Sequence, residues 1–212
     1  VGTRRLIFLR HGQYDEEGDG RLTATGREQA ERSATALASE SFARIRVSTL
    51  IRARETAEIV ARRHAGTPVR ASALFCEAIP TRLPPRLSRG IDPARIARDA
   101  PRAKRAADEL FQPSRDDRTE LVVCHGNIIR FFHCLALGVD PTAWVRLVSH
   151  HCGISEILVL DNGQVRAVRY NDLGHLAPSL RTISGAAMAA RAKDQAGAIV
   201  RRARKKRRVT SS

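Results

Sequence analysis

Four consecutive apolar residues, Leu6-Ile7-Phe8-Leu9, run straight into Arg10-His11-Gly12. An unbroken apolar run closed by a glycine fits a buried strand leading into a loop. Arg10 and His11 then fall at the carboxyl end of that strand, where open α/β sheets bind their ligands. There an imidazole can attack and a guanidinium can hold a phosphate. Farther on, Leu121-Val122-Val123-Cys124 repeats the arrangement and ends in His125-Gly126-Asn127.

Between and beyond these runs the pattern alternates between helical and extended. Gly26 to Leu37 sets Ala30, Ala34 and Leu37 at helical spacing, and Arg44 to Thr49 alternates as a strand with Ile45 and Val47 inward. Arg52 to His64 reads as a helix with Ala53, Ala57, Val60 and Ala61 on one face, and Leu74 to Glu77 as a short extended piece. The stretch 80–101 is rich in Pro and Arg and is expected to be a loop over the site, with helical periodicity from Pro93 to Phe111. A strand over Thr119–Cys124, a helix over Asn127–Leu137 and a hairpin, Ile154–Leu160 with Val165–Tyr170 joined by Asp161-Asn162-Gly163, complete the series. The expected fold class is α/β, three layers with a mostly parallel central sheet.

At 212 residues with 42% hydrophobic content, one domain can bury a substantial core without metal or disulfide staples. Nothing approaches the roughly 18 apolar residues of a membrane span. Cys76, Cys124, Cys134 and Cys152 are widely spaced and mostly in apolar surroundings, so they read as reduced core residues. With the first strand beginning within a few residues of Val1, the expected location is cytoplasmic.

Four motifs occur in order: Arg10-His11-Gly12; Leu22-Thr23-x-x-Gly26-x-x-Gln29-Ala30; Ser48-Thr49-Leu50-x-Arg52-Ala53-Arg54-Glu55-Thr56-Ala57; and His125-Gly126-Asn127. Together they resemble the histidine phosphatase superfamily, the phosphoglycerate-mutase-like proteins, from about Arg4 to about Gly174. Within it, His11-x-Gln13-Tyr14, His125-x-Asn127-x-Ile129-Arg130 and Pro141-x-x-Trp144-x-Arg146-Leu147 are similar to the branch of a mitochondrial serine/threonine protein phosphatase. The resemblance implies that His11 is a nucleophile forming a phosphohistidine and that Arg10, Arg54 and His125 clamp the phosphoryl oxygens. Arginine suits the clamp because its planar fork donates two hydrogen bonds and keeps its charge. His11 must be neutral at the attacking nitrogen, so its other nitrogen should donate to a backbone carbonyl. Glu77, between the third and fourth motifs, is the candidate proton donor, although Cys76 stands where the family often has arginine. Asp15, Glu16 and Glu17 are fallback acids, more readily seen as a solvated run. Gln13, Ser48 and Asn127 are secondary neutral donors to the phosphate. No cofactor and no metal is implied: the spacing of His150-His151-Cys152 and His133-Cys134 matches no standard zinc pattern. Trp144 is read as core.

The formal charge is +15, and much of it lies at the end, in Arg191, Lys193 and the seven basic residues between Arg201 and Arg208. The chain therefore reads as a domain over 1–183 and a basic tail over 184–212. Such a tail offers non-specific contact with nucleic acid or an anionic surface. Arg82, Arg86 and Arg89 would add positive charge near the loop over the site. The expected activity is hydrolysis of a phosphate ester, on a phosphoprotein or a small molecule. The alternatives are a phosphoglycerate-type mutase and a non-catalytic phosphate- or nucleic-acid-binding module. Relatives of the branch assemble, so a homo-oligomer is expected as well.

Overall fold

The computed structural model describes residues 2–88 and 90–184. A six-stranded sheet is built from β1 (Arg4–Arg10), β2 (Phe42–Ser48), β3 (Val69–Ser72), β4 (Arg118–Cys124), β5 (Ile154–Val159) and β6 (Val165–Asp172), in the order β3-β2-β4-β1-β5-β6. β3, β2, β4 and β1 pair in parallel, and β5 is antiparallel to both of its neighbours. The helices are α1 (Ala24–Ala36), α2 (Ile51–Ala61), a single turn α3 (Pro85–Ser88), α4 (Pro93–Leu110) and α5 (Gly126–Ala136).

The apolar runs of β1 and β4 are explained by burial on both sides. Leu6 and Phe8, with Val122 and Cys124, pack under α4 and α5 against Ala103, Ala107, Leu110, Ile128 and Phe132. Ile7 and Leu9, with Leu121 and Val123, face the other way, onto Ala30 and Ala34 of α1 and Ala53, Ala57 and Val60 of α2. This is the expected three-layer arrangement.

Several details differ from the sequence reading. β3 was not anticipated, because it is an edge strand whose residues are largely exposed and lack an apolar alternation. Leu74 begins no extended piece: Ala73–Phe75 is a 3₁₀ turn capped by Ser72, whose hydroxyl accepts from the Leu74 N–H. The Pro/Arg-rich stretch is interrupted by the single turn α3, and beyond Asp92 it enters the helix expected from Pro93. Asp92 caps α4 by accepting from the Ala94 N–H, and Pro101 is carried inside that helix. Of the four cysteines, all free, Cys76 is half-buried beside the site and does not belong to the core. Residues 185–212, which hold the basic tail, lie outside the described residues, as do Arg89 and the side chain of Arg86. Among the described residues no helix is long and apolar enough to cross a membrane.

Candidate active site

The parallel register sets Arg10 of β1 beside Cys124 of β4. The residues that follow, His11 and His125, are therefore delivered side by side, with ring centroids 4.9 Å apart. The His11 N–H bonds the Cys124 carbonyl at 3.0 Å and fixes the two strand ends together. Beneath them the loop at Gly12 meets the start of α1 so closely that no side chain fits: a Cβ on Gly26 would lie 1.8 Å from the Gln13 carbonyl oxygen.

His11 is buried, and its Nδ1 lies 2.8 Å from the Gly12 carbonyl oxygen. Only an N–H can pair with that oxygen, so the lone pair belongs to Nε2. Arg52 Nε donates to this Nε2 at 3.2 Å, and the Arg52 guanidinium stacks on the Tyr14 ring at 4.5 Å. Burial, followed by the neighbouring His125, Arg10, His151 and Arg52, holds His11 well below the usual imidazole range. It is neutral around pH 7, as attack on phosphorus requires.

Arg52, at the amino end of α2, takes the place that the sequence reading gave to Arg54. Arg54 is exposed on the same helix, so the expectation is corrected: the α2 arginine at His11 is Arg52. Arg10 is where it was expected, buried, donating to the Ser149 carbonyl at 2.5 Å and lying 3.1 Å from His151 Nε2. Desolvation lowers its pKa to about 10, which still leaves it a cation. His151 was missed. It sits on the turn entering β5, with Nδ1 2.9 Å from the Thr182 hydroxyl, and burial with Arg10 alongside pushes it down to about 2. A neutral imidazole in that position accepts from the guanidinium and orients it. Only the density of histidine at 150–151 hinted at this.

His125 is fully buried, and its Nε2 lies 2.7 Å from the Ser48 hydroxyl at the end of β2. Burial, then Arg52 and Arg10, lowers its pKa well below 6.5. Ser48 is thus in the cluster, acting on His125. Asn127 is at the first turn of α5, but its amide oxygen is taken by Arg130, and its backbone N–H donates to Glu77 at 3.2 Å. Gln13 is half-buried with its amide oxygen held by Thr23 at 2.9 Å. Asp15, Glu16 and Glu17 are exposed, and Asp15 caps its own turn.

Glu77 reaches the same centre by way of two supports. Its Oε1 accepts from the Ala78 and Asn127 N–H groups. Its backbone is held by Arg102 of α4, which donates to the Cys76 carbonyl at 2.7 Å and the Glu77 carbonyl at 2.9 Å while pairing with buried Asp99. Burial raises the Glu77 carboxyl, against the pull of Arg10, the Ala78 N–H and Arg130. The centre therefore gathers a neutral nucleophilic imidazole, two guanidinium groups and a carboxyl biased toward its protonated form. This is the constellation that transfer of a phosphoryl group needs: fixed cations for the equatorial oxygens, an in-line nucleophile and a proton for the leaving oxygen.

Comparison with known proteins agrees with this geometry. A family model described as the histidine phosphatase superfamily (branch 1) matches residues 6–79 and 90–173. The chain is 35% identical over 190 residues to the mitochondrial serine/threonine-protein phosphatase Pgam5 of Caenorhabditis elegans, with 84% of this chain and 66% of the relative covered. It is 32% identical over 193 residues to the human protein of the same name, covering 86% of this chain and 67% of the relative. The chain thus spans just under two thirds of the nematode relative's length. Among solved structures, a Plasmodium falciparum phosphoglycerate mutase superposes with a TM-score of 0.59 at 25% identity, over 87% of this chain and 96% of that one. The α-ribazole phosphatase of Shigella flexneri shares the fold, with a TM-score of 0.63 at 20% identity over 79% and 96% of the two chains. The relatives' names also overturn the cytoplasmic expectation, since they point to mitochondria. A matched family model over most of the chain, on a site with His11 and His125 at adjacent strand ends, places this protein in the histidine phosphatase superfamily.

Proposed function

We propose that the protein is a metal-independent phosphomonoesterase working through a phosphohistidine on His11. The observation that carries the reading is the arrangement at His11. The ring is neutral, its proton is tied to the Gly12 carbonyl, and the lone pair on Nε2 faces the Arg52 guanidinium. Arg10 and Arg52 neutralise the phosphoryl oxygens as Nε2 attacks phosphorus, while uncharged His125, held by Ser48, lies beside the attacking ring. The P–O ester bond breaks, and the departing oxygen takes the proton of Glu77. In the second half, the Glu77 carboxylate removes a proton from water, whose oxygen attacks the phosphohistidine. The P–N bond breaks, the electron pair returns to Nε2, and Glu77 is protonated again.

Phosphoserine and phosphothreonine proteins are the proposed substrates, in keeping with the names of the relatives. The basic tail, as a salt-sensitive contact to nucleic acid or an anionic surface, and self-association of the domain belong to the same proposal. Retained turnover of p-nitrophenyl phosphate in excess EDTA, together with an acid-labile, base-stable phosphoenzyme that His11→Ala cannot form, is the expected result. Activity restored only by a divalent cation, or label on serine or cysteine, would overturn it.

A further inference from the structure

A pocket of about 490 Å³ adjoins Glu77 and is lined by Leu50, Ala73, Cys76 and the α4 face bearing Arg95, Arg98 and Arg102. Those three arginines share one carboxylate, Asp99, which is 3% exposed. Arg102 is committed, since it holds three backbone carbonyls and the nearest Asp99 oxygen at 3.1 Å. Arg95 and Arg98 reach Asp99 through Nε, at 3.5 and 3.6 Å, and Asp99 also accepts from the Ile79 N–H. Their side chains are 49% and 70% exposed, so much of each remains open to solvent where it lines the pocket. The separate pocket beside Tyr14 has a different character, with Asp15, Glu16, Glu17 and Asp19 beside Arg21 and Arg27.

We infer that the α4 pocket is a subsite for an acidic segment of a phosphopeptide, binding carboxylates that flank the scissile phosphate on one side only. The inference rests on the phosphatase reading and deepens it. A polymer fits better than a small ester, because the arginine pair stands on an open wall. Arg95 and Arg98 are three residues apart, about 4.5 Å along the helix, between the ~3.3 Å advance per residue and the ~6.6 Å same-face spacing of an extended peptide, a difference two long side chains can bridge. The acidic loop that lines the separate pocket at Tyr14 repels the same carboxylates, which leaves the arginine pocket as their place.

The test uses the full chain and four phosphoserine peptides: three Glu residues before the phosphoserine, the same three after it, a Lys-flanked peptide and an Ala-flanked control. At low salt one acidic peptide should exceed the control in kcat/KM by about 10-fold, the order expected of two partly exposed arginine–carboxylate contacts, and added salt should close the gap. Arg95→Ala with Arg98→Ala should bring that ratio near one, and Arg98→Glu should turn preference toward a Lys-flanked peptide. A parent that treats both acidic peptides like the control, or a double variant that keeps the preference, would overturn the subsite. So would an equal loss on 3-phosphoglycerate, a small ester carrying its own carboxylate, because it would assign the pocket to small molecules. Turnover of p-nitrophenyl phosphate by the parent reports the catalytic centre separately, so failure of the phosphatase reading is distinguishable.

Discussion

Arg52→Ala and Arg54→Ala, two residues apart on one helix, are expected to differ by two to three orders of magnitude in effect. Arg52 Nε lies 3.2 Å from His11 Nε2, so the phosphoryl group in flight from ester to imidazole passes through its reach. Tyr14, stacked on the guanidinium at 4.5 Å, fixes the fork before substrate arrives. Removing one preorganised donor of this kind costs about 100- to 1,000-fold, or ~2.7–4 kcal/mol of transition-state stabilisation. Arg54 is exposed, and substitutions at such positions stay within about 0.5 kcal/mol, a factor of roughly two. Arg52→Lys should fall between, since an ammonium keeps the charge but not the planar fork. The assay is kcat and kcat/KM on p-nitrophenyl phosphate, with thermal unfolding to show that each variant is folded. Arg54→Ala losing 100-fold, or a folded Arg52→Ala within threefold of the parent, would refute the assignment of the clamp.

Acid should destabilise the fold through its neutral histidines. His11, His125 and His151 have folded pKa values below the ~6.5 of an unfolded chain, so the unfolded state binds more protons, and stability present above pH 6.5 is lost as pH falls. For His151, at about 2, the loss is ~2 kcal/mol at pH 5, and the other two act in the same direction, so a urea midpoint higher at pH 5 than at pH 7.5 would contradict this. Glu77→Gln should slow a phosphoserine peptide by about 100-fold or more but p-nitrophenyl phosphate much less, because nitrophenolate leaves without a proton, and equal losses would remove Glu77 as the acid. It should also abolish the fall in activity as pH rises through the raised Glu77 pKa. Far from the site, Glu120 is wholly buried between Arg4 at 3.0 Å and Arg46 at 2.7 Å, so Glu120→Ala should cost about 3–5 kcal/mol in chemical denaturation, and a loss under 1 kcal/mol would refute that account.

How much the sequence reveals varies from residue to residue. His11 and His125 are legible because each ends an apolar run, and strands buried on both faces carry that signature in the chain itself. Once such strands pair in parallel, the residues after them must meet at one edge of the sheet. The requirement for a neutral His11 was likewise legible from chemistry, and the Gly12 carbonyl fulfils it.

The choice between Arg52 and Arg54 was not legible. Residues 52 and 54 lie about 100° to either side of Ala53, and the apolar face read from the chain, Ala53, Ala57, Val60 and Ala61, leans toward Arg54. In the structure Thr56 and Ile59 are buried as well, which turns the buried face about 30° from Ala53 toward Arg52. His151 and the Arg102–Asp99 support of Glu77 were hidden for a related reason: each acts on a residue more than 20 positions away, across packed elements. β3 was hidden because an exposed edge strand has too little burial to write a pattern. The sequence determined which groups the site can contain, through local runs and motifs. Tertiary packing decided which arginine, which histidine and which carboxyl face one another, because those distances depend on how separate elements dock and no local periodicity encodes them.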